Sequence, residues 1–225
     1  MRWAPAILGL MALSFAASRS SAESDTYMGR TIAPTMTHHG ADWLVRDERQ
    51  EEENTDLLLT QLRLEPGDVA CDVGAGNGYH TLRMAKRVAP GGRAVAVDIQ
   101  PEMLAMLKAR AKKQGAKNVT TVLGEPGDPK LKPETCDLIL LVDVYHELAD
   151  PRGMLAHLKR ALKPGGTIAL VEFRANDPNV PIKPLHTMTK AQMKKELAAS
   201  GLEPVRSFDG LPWQHLIFFG PADAR

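Results

Sequence analysis

Residues 69–80 read Val69-Ala70-Cys71-Asp72-Val73-Gly74-Ala75-Gly76-Asn77-Gly78-Tyr79-His80, and after the span of one helix the chain continues Ala94-Val95-Ala96-Val97-Asp98. A strand, a glycine turn, a helix and a second strand ending in a carboxylate form the unit with which a parallel α/β sheet builds a nucleoside-binding crevice. A dinucleotide fingerprint needs glycines at the first, third and sixth positions of the turn, leaving the helix N-terminus to a pyrophosphate. Here they fall at Gly74, Gly76 and Gly78, and the sixth position is Tyr79. Asp72 would repel a pyrophosphate, yet it suits a cationic amino-acid moiety. The pattern implies an adenosine-containing ligand and argues against NAD and FAD.

This run resembles motif I of the class I S-adenosylmethionine-dependent methyltransferases, and later landmarks follow that family's order across residues 64–219. The resemblance implies an α/β fold: a seven-stranded, mostly parallel sheet with helices on both faces and a C-terminal antiparallel hairpin. It also implies S-adenosylmethionine as cofactor, bound by Asp72, Gly74, Ala75, Gly76 and Gly78. Asp98 matches the carboxylate that holds both ribose hydroxyls, a task for two acceptor oxygens facing a diol. Ile99 and Met103 fall where the family packs adenine, and Glu125 matches the acceptor for the adenine amino group. The next residue, Pro126, has no N–H to give, so Gly127 or a water would replace it. Lys163-Pro164-Gly165-Gly166 matches the turn common before the fifth strand. The core motifs are similar to those of the quinone-type C-methyltransferases.

The fourth strand, residues 137–142, is almost continuously apolar, as a central parallel strand should be. It leads into Asp143-Val144-Tyr145-His146-Glu147-Leu148 at the carboxyl edge, where open α/β sheets place ligands. By the resemblance this edge lies beside the sulfonium methyl. His146 is the candidate general base, because an imidazole titrates near neutral pH. Asp143 and Glu147 are candidates to orient it or to meet the cofactor's ammonium, and Tyr145 to cover the methyl or touch substrate. In the alternative reading Asp143 caps a turn, and His146 and Glu147 are partly exposed helix residues. Catechol-type enzymes hold magnesium with an Asp-Asn pair after strand five. This chain has Glu172-Phe173-Arg174 there, so no metal is expected; Asp143, His146 and Glu172 form the set that would converge on one. The proline-stiffened segment 174–186 reads as a lid, making Arg174 and His186 substrate-contact candidates.

The 225 residues suffice for one α/β domain with an extension and are too few for two. Lys and Arg number 28 against 27 Asp and Glu, so net charge offers nothing to nucleic acid, and a small-molecule partner is expected. Residues 1–22 combine a positive start, an apolar stretch and small residues ending in Ala22, the pattern of a secretory signal. Export to the periplasm or medium with cleavage after Ala22 is the expectation, without stable membrane insertion; an uncleaved anchor is the second reading. Residues 23–63 then form an extension with a cap helix over 41–62, and 64–225 the methyltransferase domain. Within that helix Arg46 or Arg49 would pair with the cofactor's carboxylate, or else form a solvated face with an Arg49 to Glu53 pair. Cys71 and Cys136 are read as buried free thiols too far apart to join. Their scarcity argues against arsenite methylation. The rivals to an exported methyltransferase are an exported binding module on a degenerate fold and a metal-assisted O-methyltransferase.

Overall fold

The computed structural model describes residues 26–222; the signal sequence expected at residues 1–22 lies outside them. A hairpin of β1 (Thr26–Tyr27) and β2 (Arg30–Thr31) precedes α1 (Arg49–Glu53) and α2 (Thr55–Gln61). Then follow β3 (Val69–Val73), α3 (Tyr79–Arg87), β4 (Arg93–Asp98), α4 (Pro101–Lys113), β5 (Val119–Leu123) and β6 (Cys136–Val142). The chain closes with α5 (Pro151–Ala161), β7 (Leu162–Phe173), α6 (Lys190–Ala198), β8 (Leu202–Phe208) and β9 (Gln214–Pro221).

Seven of these strands form one sheet in the order β5-β4-β3-β6-β7-β9-β8. The first five run parallel, and β9 is antiparallel to both neighbours, the arrangement expected from the resemblance. Strand alternation divides the core. Val69, Cys71, Val73, Ile139 and Leu141 face Leu155, Leu158 and Leu197. Ala70, Leu138 and Leu140 face Leu58, Met84 and Val88 on the other side. Strand order reverses between β3 and β6, so the crevice opens beyond their carboxyl ends, at Gly74 and Asp143. Among the described residues no helix is long and apolar enough to cross a membrane.

Three expectations are corrected. The helix expected over 41–62 is broken: a 3-10 turn spans His38–Val45, Arg46 is extended, and Asn54 adopts φ +49° between α1 and α2. Asparagine tolerates this left-handed conformation, and its side chain accepts from the Leu57 N–H to cap α2. The Lys-Pro-Gly-Gly run lies within β7 rather than ahead of it.

Cys71 and Cys136 are not free thiols but a disulfide, with Cα atoms 5.9 Å apart. Counting along straight strands sets them at opposite ends, since Cys71 pairs with Ile139. The start of β6 carries an irregularity between Cys136 and Leu138. There a two-residue step of β6 is matched by a five-residue step of β7, from Leu162 to Thr167, and at this irregular end Cys136 shares a face with Ile139 despite their odd spacing, beside Cys71.

Candidate active site

The glycine loop after β3 is shaped by backbone demands. Gly74 has φ +74°, and a Cβ there would lie 2.3 Å from Val144 Cγ2, so only glycine lets the loop after β6 close against it. Gly76 has φ +52°, and a Cβ would lie 2.6 Å from Leu44 Cδ1, in the segment that roofs the crevice. The N–H groups of Gly74 and Ala75 both donate to the Val97 carbonyl at 2.9 Å, tying the loop to the end of β4.

Asp98, at that end, is 7% exposed. Its Oδ2 accepts from Gly76 N–H at 2.8 Å and its Oδ1 from Gln100 N–H at 2.9 Å. Burial raises its pKa and these backbone donors oppose the rise. A carboxylate with two oxygens has lone pairs beyond the two used, so the tethered group can still accept from a diol. Gln100 also fixes the roof: it accepts from His38 N–H at 2.8 Å and donates to the Met36 carbonyl at 2.9 Å.

Gly74, Gly76, Asp98, Ile99, Met103, Glu125, Asp143, His146, Glu147 and His186 all line one cavity of about 720 Å³. The other nominated residues lie outside its lining. Asp72 is buried behind the loop, where its Oδ2 accepts from Thr81 Oγ1 at 2.5 Å and anchors α3. Burial pushes its carboxyl up to about 6, against the Thr81 hydrogen bond. The folded chain therefore keeps this proton up to about pH 6, while the unfolded carboxyl loses it near 4, so stability falls as pH rises across that window. Asp72→Asn should remove about 2–3 kcal/mol of that fall, read from urea denaturation of variant and parent at pH 4 and pH 7. An unchanged slope would mean that Asp72 is already ionised in the folded state.

Tyr145 does not reach the cavity: it is fully buried, and its hydroxyl donates to Glu196 Oε2 at 2.8 Å on the far side. Arg174 is a backbone clamp, donating to the carbonyls of Asp209, Leu211 and Pro212, and it does not line this cavity. Arg46 and Arg49 are committed to Glu53, at 2.8 Å and 2.7 Å, and Arg46 also to Glu52. Arg49 and Glu53 are 3% and 0% exposed, a buried ion pair rather than a solvated face. Arg49 further donates to His80 Nε2 at 3.1 Å, and burial with the Arg49 charge holds that imidazole well below its usual pKa.

Asp143 sits at φ +52° with Oδ2 accepting from Gln214 Nε2 at 2.6 Å. Its Oδ1 is buried and has no partner. Burial, then the Glu53 and Glu172 carboxylates, push its pKa well up, so this position favours a cation.

His146 is 2% exposed. Its Nδ1–H donates to Glu172 Oε2 at 2.6 Å, which leaves Nε2 toward the cavity, 3.1 Å from His186 Nδ1. Burial would lower its pKa, but Glu172 and then Glu147 outweigh that and raise it. Glu147 accepts from Met36 N–H at 3.3 Å, and burial pushes it up to about 7. The β1–β2 hairpin secures this turn: Arg30 donates to the His146 carbonyl at 2.9 Å and pairs with Glu196 at 2.8 Å. Glu172 and Asp143 do not share a metal point with His146, because Glu172 occupies the Nδ1 side and Asp143 is turned to Gln214. The sequence reading missed Glu172 as the partner of His146. The signal was an acidic residue closing the apolar run 168–171, a charge that must be buried with a partner.

A family described as a methyltransferase domain matches residues 64–214. The chain is 29% identical over 107 residues to an arsenite methyltransferase of Halobacterium salinarum, covering 48% of this chain and 27% of that protein. It is 33% identical over 112 residues to a demethylmenaquinone methyltransferase of Tropheryma whipplei, covering 50% and 44%. The chain thus spans less than half the length of these curated relatives. The crystal structure of a SAM-dependent methyltransferase from Aquifex aeolicus superposes with a TM-score of 0.77 at 24% identity, covering 82% of this chain and 98% of that one.

Proposed function

The chain belongs to the methyltransferase-domain family, and from that premise we propose that it transfers the methyl group of S-adenosylmethionine to a small or medium-sized acceptor held against His146. The observation that carries this reading is one cavity lined both by a doubly tethered carboxylate, Asp98, and by Asp143, whose buried Oδ1 has no partner. The first suits a ribose diol, the second an ammonium. Ile99 and Met103 supply the apolar bed for adenine and Glu125 an acceptor at its rim. Bound there, S-adenosylmethionine supplies a methyl group on an electrophilic sulfonium.

The chain's own contribution is alignment and proton removal. As a free side chain, His146 takes the acceptor's proton on Nε2, with Glu172 fixing the tautomer and stabilising the imidazolium. Phe173, Ile182 and Met36 wall the acceptor's space. Cofactor and acceptor must share about 720 Å³, within the usual range of small-molecule sites, which keeps the acceptor small. With both cysteines joined, they offer no thiolate for a soft metalloid, so the likeness to the arsenite methyltransferase is not extended to its substrate.

Calorimetric titration of the purified full chain with S-adenosylmethionine, its demethylated product and NAD tests the cofactor. Micromolar binding of the first two and none of NAD is expected; failure of both to bind would leave the fold as architecture only. In an acceptor screen with labelled methyl donor, His146→Ala should slow transfer about a hundredfold with cofactor affinity within about twofold. Parental turnover in the variant would remove His146 from the chemistry. The proposal also places the protein outside the cytosol, supported by the pattern of residues 1–22 and by the disulfide. Alkaline phosphatase fused after Ala22 should become active in cells, and an inactive fusion would refute export.

A further inference from the structure

We propose that His146 Nε2, His186 Nδ1 and Glu147 Oε1 form a binding site for a divalent transition-metal ion, of the zinc, cobalt or ferrous type, at the acceptor end of the cavity. The three atoms come from two segments, the turn after β6 and the 174–186 loop, and meet within 4.8 Å of one another. Their separations are 3.1 Å between the two nitrogens, 3.8 Å from Nε2 to the carboxylate and 3.7 Å from Nδ1 to the carboxylate. A triangle with these edges has a point about 2.1 Å from every corner, the ordinary length of a zinc–imidazole or zinc–carboxylate bond.

A second observation supports the same assignment. The other ring nitrogen of His146 donates to the buried Glu172 carboxylate at 2.6 Å, the outer contact that metal-binding histidines regularly make and that fixes Nε2 as the ligand atom. Glu147 is itself held by Met36 N–H. Two imidazoles and one carboxylate match borderline ions rather than magnesium or calcium, which prefer all-oxygen sets. Three protein ligands leave a coordination position open toward the cavity, as in catalytic rather than structural sites.

The inference rests on the methyl-transfer reading for its use and changes one role within it. A metal-bound Nε2 cannot accept a proton, so the acceptor class narrows to molecules with a hydroxyl or thiol able to enter the open position. Such a group is acidified by the ion and releases its proton to water.

The test uses the untagged full chain, stripped with chelator and dialysed against Zn²⁺ or Co²⁺, with bound metal counted by mass spectrometry and Co²⁺ followed by its visible absorption. About one ion per chain is expected, with affinity lowered about a hundredfold in His186→Ala and in Glu147→Gln, and unchanged in the control His157→Ala. No uptake, or uptake equal in all variants, would overturn the site. Calorimetry with S-adenosylmethionine on the same stripped parent separates the two readings: cofactor binding without metal uptake sinks only the metal site, and the reverse sinks only the cofactor assignment.

Discussion

Asp98→Ala should weaken S-adenosylmethionine binding about a thousandfold. Two charge-assisted hydrogen bonds to a ribose diol contribute about 2 kcal/mol each, and about 4 kcal/mol is a factor of a thousand in affinity. The structure adds a second cost. The N–H groups of Gly76 and Gln100 donate to this carboxylate and would lose their acceptor, which loosens the glycine loop. Asp98→Asn separates the two effects, because its amide oxygen still accepts one backbone bond while the charge is gone. We expect the Asp98→Asn variant to melt close to the parent and still bind poorly. Calorimetry with circular dichroism on both variants gives the answer. Parental affinity in the alanine variant, with the fold intact, would show that the ribose is held elsewhere.

Replacing both cysteines by alanine should cost about 4 kcal/mol of folding stability. The disulfide closes a loop of 65 residues in sequence separation, and the chain entropy that it removes from the unfolded state is of that order. Both residues are fully buried, so reductant reaches the bond only when the sheet opens. The bond also ties β3 to β6, whose carboxyl ends carry Gly74 and Asp143, so the variant should lose cofactor affinity along with stability. Urea denaturation reads the first effect and calorimetry the second. Two thiols titrating in the denatured but unreduced protein would show that the bond is not formed.

The first prediction concerns the end of β4 and the second the seam between β3 and β6, and they differ in how far the sequence reveals them. Asp98 is legible because its place is local: it closes an apolar strand at a set remove from a glycine turn, and the turn needs glycine for backbone reasons visible in order. The disulfide is not, because the irregular register between the start of β6 and β7 leaves Cys136 in a position that straight-strand counting denies it. His186 is an intermediate case. Its segment reads as a lid, but its meeting with His146 across 40 residues depends on the path of a proline-rich loop.

The charged stretch 46–53 shows the same division. Its residues are compatible with a cofactor clamp or a solvated face, and the structure yields neither: the extended backbone at Arg46 breaks the helix ahead of α1, and Arg46 and Arg49 converge on the buried Glu53. Tyr145 likewise belongs in sequence to the turn after β6 that carries His146, while its side chain packs away from the cavity toward Glu196. By itself the sequence determined the strand-turn-helix-strand unit, the glycine loop and the carboxylate at the end of β4, because periodicity and positive φ are properties of contiguous residues, while the arrangement of the seven strands came with the family resemblance. Only the tertiary structure decided that Cys136 meets Cys71 and that His186 meets His146 at the acceptor end, because an irregular strand register and the route of one loop set those contacts, and neither has a local pattern that fixes where it leads.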